Sequence, residues 1–142
     1  MKYLAIDYGL KRVGIAVSDM DGRFVFPRCT LKRETKAAFW AEFLALLEKE
    51  QAEAIVLGLP LHVDGSECLT TRQVRNFAES LKRRVTLPVY WINEALSSHS
   101  AEQALYEQGL GCAKVKEIVD QHAAAVILES FLELPENQRE RA

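Results

Sequence analysis

The sequence predicts an α/β fold, a mixed five-stranded sheet flanked by helices, with strands one to three antiparallel and strands four and five parallel. Three observations point there. In residues 2–18, Leu4, Ile6, Val13, Ile15 and Val17 alternate with small or polar residues, the period of extended chain, and Gly9 permits a tight connection between the two runs. Residues 35–50 switch to helical spacing, with Phe39, Phe43, Leu46 and Leu47 recurring among Lys and Glu. Ala54-Ile55-Val56-Leu57 is a continuous apolar run closed by Gly58-Leu59-Pro60, which suits a strand covered on both faces after a helical crossover.

A chain of 142 residues, 49% hydrophobic and 27% charged, fits one globular domain with a real core; we place it over 1–134 with a polar tail over 135–142. The formal net charge of -2 argues against a generally basic coat protein for nucleic acid but leaves room for local basic patches. Cys29, Cys68 and Cys112 are odd in number, widely spaced and without a CxxC pair, so neither a zinc knuckle nor a disulfide framework is indicated. No window approaches the roughly 18 apolar residues a bilayer span requires, so a cytoplasmic protein with no membrane partner is expected.

In chain order, Asp19-Met20-Asp21-Gly22 carries a turn signal, and Arg23 to Phe26 reads as a third strand ending at Pro27. The polar segment 61–67 lies beyond the carboxyl end of the fourth strand, where open α/β sheets place ligands. Thr70, with Gln73 as its capping-box partner, is set to open a helix whose stripe is Val74, Phe77, Ala78 and Leu81. The outer face of that helix is basic, with Arg72, Arg75, Lys82, Arg83 and Arg84, a pattern that ordinary solvation also explains. Pro88 to Ile92 reads as the fifth strand, running into Asn93-Glu94, and its end lies near Asp7 if the first and fifth strands are parallel neighbours. A helix beginning among Ser97, Ser98 and Ser100 stops at Gly109-Leu110-Gly111, and a last helix runs from about Lys114 to Leu132.

Three carboxylates conflict with their surroundings. Asp7 closes the first apolar strand, Glu94 follows the fifth, and Asp120 shares a helical stripe with Ala123, Ala124, Ile127 and Phe131. Alone, two of them have a bland explanation: a turn cap for Asp7, or a salt bridge, for instance to Lys116 or Lys11, for Asp120. Together at one sheet edge they would repel one another unless cations are bound, and an all-oxygen site suits Mg²⁺ or Mn²⁺. Two such metals can activate water and stabilise the leaving oxygen of a phosphodiester, which points to a nuclease.

Asp7-Tyr8-Gly9-Leu10-Lys11-Arg12-Val13-Gly14 onward to Asp19, then Val56 to Leu61 with Asp64-Gly65-Ser66-Glu67, then Val119-Asp120-Gln121-His122-Ala123-Ala124, resemble the YqgF family in order and spacing over nearly the whole chain. The resemblance implies an RNase H-like fold and a metal-dependent endonuclease acting on pre-16S ribosomal RNA or on Holliday junctions. It also implies Asp7, Glu94 and Asp120 as catalytic metal ligands. One motif departs: Asn93-Glu94-Ala95-Leu96 stands where the family has Asp-Glu-Arg-Leu. Asn93 offers a neutral carbonyl oxygen in place of a carboxylate, and Ala95 lacks a guanidinium.

The expectation is therefore an endonuclease for structured nucleic acid, with processing of the 5′ end of pre-16S rRNA ahead of junction resolution, and Lys11, Arg12, Arg72 and Arg75 as phosphate contacts. A homodimer would suit a resolvase, which has two strands to cut. The competing class, motivated by Asn93 and Ala95, is a nucleic-acid-binding module that has lost turnover. An actin-like phosphate-binding Asp-x-Gly hairpin would need a second such domain, for which 142 residues leave no room. His62, His99 and His122 lack mutual ligand spacing, and Trp40 and Trp91 fall in regular elements, where core or interface roles come first.

Overall fold

The computed structural model describes residues 1–60, 66–94 and 112–142, with the side chains of residue 94 and residues 112–117 outside that description. Strands β1 (Tyr3–Asp7), β2 (Arg12–Ser18) and β3 (Val25–Lys32) form an antiparallel meander. Helix α1 (Lys36–Glu50) leads into β4 (Ala54–Pro60), and α2 (Leu69–Lys82) leads into β5 (Val89–Glu94). Both β4 and β5 run parallel to β1. The last helix, α3 (Cys112–Glu133), precedes a 3-10 turn (Glu136–Gln138) and a two-residue strand, β6 (Glu140–Arg141). The sheet order is β3-β2-β1-β4-β5-β6.

Period-two alternation divides the sheet into two buried faces. Leu4, Ile6, Val13, Ile15, Val17, Ile55, Leu57 and Val89 pack with Phe39, Phe43 and Leu47 of α1 and with Phe77, Ala78 and Leu81 of α2. On the reverse face, Tyr3, Ala5, Ala54 and Val56 pack against Ile127, Leu128 and Phe131 of α3. Thr35 caps α1 by accepting from the Ala38 N–H at 3.1 Å.

Four local features differ from expectation. β3 passes through Pro27 and continues to Lys32, because it is an edge strand with a register shift opposite Ile15/Ala16, where a missing N–H is tolerated. α2 starts two residues early: Cys68 is its cap, and the buried Thr71 hydroxyl accepts from the Cys68 N–H at 3.0 Å and donates to the Pro60 carbonyl. The sheet has six strands, because the polar tail adds β6 antiparallel to β5. Arg139 anchors that tail, its guanidinium 4.8 Å from the Phe131 ring centroid and donating to the Tyr3 hydroxyl at 3.2 Å. Finally, β4 separates β1 from β5, so the first and fifth strands are parallel but not neighbours. The ligand loop expected over 61–67 is described only at Ser66 and Glu67, and the helix expected from Ser97 to Gly109 lies outside the described residues.

Candidate active site

β1 and β2 join through a turn at Gly9, where a Cβ would strike the Arg12 carbonyl, so the hairpin closes this tightly only around glycine. It brings Asp7 directly opposite Gly14 in the ladder. Tyr3 and Ala5 face α3, so Asp7, next on the same side, belongs to that face as well. At Gly14 the α3 backbone rests on the strand: a Cβ there would overlap the carbonyl of Asp120. Ala16 meets Ala124 and Ala125 one step along, so small residues on both partners let helix and sheet approach to backbone contact. Asp7 and the backbone of Asp120 therefore border the same glycine.

The Asp120 carboxylate is held by Arg12, whose Nε donates to Oδ2 at 2.8 Å; Arg12 is 30% exposed and Asp120 19%. Water is thus partly excluded and the attraction little screened, so the pair fixes the side chain of Asp120 over the start of β2. Arg12 supplies a salt-bridge partner to Asp120 that the sequence reading did not name, while the Lys116 side chain lies outside the described residues, and a metal at Asp120 would have to share it with the Arg12 guanidinium. Lys11 is exposed in the hairpin turn.

Glu94 ends β5, paired in register with Pro60. Because Ile6, Leu57 and Trp91 lie in one row, Glu94 stands two residues beyond the row of Asp7 and two strands across, about 12 Å between Cα atoms from standard sheet spacings. Among the described residues no three His, Cys, Asp or Glu side chains gather into a metal site. The described donors are carboxylate oxygens, a set that fits Mg²⁺ or Mn²⁺ and not a thiophilic metal.

The other basic residues lie elsewhere. Arg75 is on α2, on the opposite face of the sheet from Asp120, where it donates to Glu67 Oε1 at 2.7 Å and lies 5.3 Å from the Trp91 ring centroid. Arg72 is exposed on the same helix. Trp40 and Trp91 are half-buried against the core. His122 is exposed on α3, while its neighbour Gln121 donates to Thr30 Oγ1 at 3.3 Å. His62 and His99 lie outside the described residues. Cys29 and Cys68 are free thiols; burial pushes the Cys29 thiol up, and the hydrogen bond with Thr71 lowers that of Cys68.

Two residues that organise the site carried no role in the sequence reading. Gly14 had a usable signal, since an isolated glycine inside a strand marks close backbone approach. Arg33 had none. It follows β3 and reaches back to donate to the Tyr8 hydroxyl at 2.7 Å and the Gly9 carbonyl at 3.1 Å, bracing the turn that carries Asp7.

This sheet order, with α3 packed across the first two strands and acids near one sheet end, defines an RNase H-like α/β protein. Solved structures of the RuvC resolvase of Thermus thermophilus share the fold. The free protein aligns over 100% of both chains with a TM-score of 0.59 at 15% identity. Its complex with a Holliday junction substrate aligns over 100% of this chain and 99% of that one, with a TM-score of 0.62 at 14% identity. Residues 1–134 match the family model described as "RuvX: Holliday junction resolvase", and the chain belongs to the RuvX (YqgF) family. Relatives named "Putative pre-16S rRNA nuclease" include one from Nitratidesulfovibrio vulgaris (strain DSM 19637 / Miyazaki F), 57% identical over 98% of both chains. Another, bearing the same name, from Lawsonia intracellularis, is 46% identical over 98% of both.

Proposed function

We propose that this chain is a metal-dependent endonuclease that trims the 5′ end of pre-16S ribosomal RNA. The observation that supports this reading is that Asp7 and the Asp120 backbone border the same residue, Gly14, in a chain whose near full-length relatives bear the name of a pre-16S rRNA nuclease. Asp7 and Asp120, with Glu94 from β5, would hold Mg²⁺ or Mn²⁺, which supplies activated water and charge neutralisation at the scissile phosphate. The chain's own part is to fix the acids: Gly14 sets the depth of Asp120, Arg12 holds its carboxylate, and Arg33 braces the turn after Asp7. Lys11, exposed in the hairpin turn, would meet phosphate there, while Arg72 and Arg75 would meet a duplex only where it reaches the α2 face.

The family description favours a second reading, a Holliday junction resolvase, for which a homodimer would supply the two cuts a junction needs. Asn93, exposed near the end of β5, keeps a third one open, a binding module without turnover. One experiment separates them: a labelled pre-16S rRNA fragment and a four-way DNA junction are incubated with the pure chain in Mn²⁺ or chelator, with Asp7→Asn as control. Cutting of the RNA alone, lost in chelator and in the variant, is the expected result. Junction cutting selects the resolvase. Binding without any cut selects the module, and Asn93→Asp with Ala95→Arg then tests whether the departed motif is the cause.

A further inference from the structure

Directly behind Asp7, on the other face of the sheet, a cavity of about 260 Å³ opens between the start of α1 and the end of α2. Tyr8 and Trp40 form part of its wall, and its charged lining is entirely cationic: Arg33, Lys36, Arg83 and Arg84. Among the described residues, none of these four is in a salt bridge. Three are held by neutral groups. Arg33 is held on Tyr8 and Gly9, Arg83 donates to the Ser80 hydroxyl at 3.2 Å, and Arg84 lies 4.3 Å from the Trp40 ring centroid while donating to the Ser80 carbonyl at 3.0 Å.

Helix electrostatics explain only part of this cluster. Arg83 and Arg84 follow the C-terminus of α2, where cations complement the helix dipole. Lys36 is the first residue of α1, where the dipole disfavours a cation and no acidic residue occupies the first turn. Lys36 shares the cavity lining with three arginines, a group of like charges that an anion held between them would stabilise.

We propose that this cavity binds the backbone phosphate of a nucleic-acid strand that continues past the acidic site, an inference that rests on the nuclease reading. The cavity is open and falls below the roughly 300 Å³ at which enclosed small-molecule sites begin, so it suits one phosphate of a passing strand better than a whole nucleotide. Because Tyr8 follows Asp7 directly and Arg33 ties both Tyr8 and Gly9, phosphate binding here also rigidifies the turn beneath the acids.

The test uses the full chain and a labelled pre-16S rRNA fragment in chelator, with affinity read by fluorescence anisotropy over a salt series. The double variant Lys36→Gln/Arg83→Gln changes two exposed side chains and keeps the thermal midpoint of the parent. It should bind several-fold more weakly, with a salt slope shallower by about 0.7, the contribution of the single phosphate the cavity takes. Lys82→Gln is the control, because that ammonium lies on the same helix but is paired with Glu79 at 3.1 Å and should leave the slope unchanged. Equal slopes for the double variant and the parent overturn the proposal, as does an equal loss in Lys82→Gln. The parent is assayed for cleavage in Mn²⁺ in parallel. Cutting with an insensitive double variant removes the phosphate site and leaves the nuclease. A sensitive double variant without any cutting removes the nuclease and leaves the phosphate site.

Discussion

Gly14→Ala tests the geometry of the acidic site most directly. The added methyl would overlap the Asp120 carbonyl, so α3 must retreat from β2 by more than about 1 Å to restore an ordinary contact distance. Overpacking of this kind costs about 1–3 kcal/mol. For 142 residues the unfolding entropy near the midpoint is about 0.3 kcal/mol/K, so the melting temperature should fall by about 3–10 °C. The protein remains folded at 25 °C, yet Asp120 no longer stands at its original depth relative to Asp7. A displacement of about 1 Å in a catalytic group is worth about 100-fold in rate. Calorimetry reads the first effect and single-turnover cleavage of the rRNA precursor the second. A variant that melts within 1 °C of the parent and cuts at the same rate would refute the claim that Gly14 sets the position of α3.

Arg12→Gln leaves the partly buried Asp120 carboxylate without its cation and should cost about 1–3 kcal/mol in urea denaturation performed in chelator. An unchanged midpoint would mean the pair contributes nothing. Arg33→Ala removes two hydrogen bonds from a charged donor and a stack on Tyr8; the expected loss is about 2–4 kcal/mol, with faster amide exchange at Tyr8 and Gly9. Unaltered exchange there would show that the turn is braced by something else. Asp19 accepts backbone N–H bonds from Arg23 and Phe24, which hold its carboxyl below the ordinary 3.8. Its contribution is present above that value and is lost as pH falls through the lowered one, so Asp19→Asn should flatten the stability profile below about pH 4. An acid limb identical to the parent's would exclude this.

Much of the architecture was legible because it follows from residue period. The alternation in 2–18, the helical spacing of Phe39, Phe43 and Leu47, and the unbroken run at Ala54–Leu57 each report which sides of an element are buried, a local property. The stripe Ala123, Ala124, Ile127 and Phe131 likewise marked the buried face of α3. The tail was not legible, since Glu140 and Arg141 carry no apolar pattern and pair with β5 because an open sheet edge lies beside them and Arg139 anchors the tail on the Phe131 ring. Pro27 misled for a similar reason: whether a proline ends a strand depends on whether that strand lies at the edge of the sheet.

By itself, then, the sequence determined the elements, their buried faces and the three acids at odds with apolar surroundings, since burial preference and period are written residue by residue. Tertiary structure alone decided which groups meet. It chose Arg12 as the partner of Asp120, 108 residues away, made Gly14 the point where helix rests on strand, and set β4 between Asp7 and Glu94. It also gathered four cations from the start of α1 and the end of α2 around one opening. Such pairings depend on strand order and on the approach of backbones distant in sequence, and no local pattern encodes either.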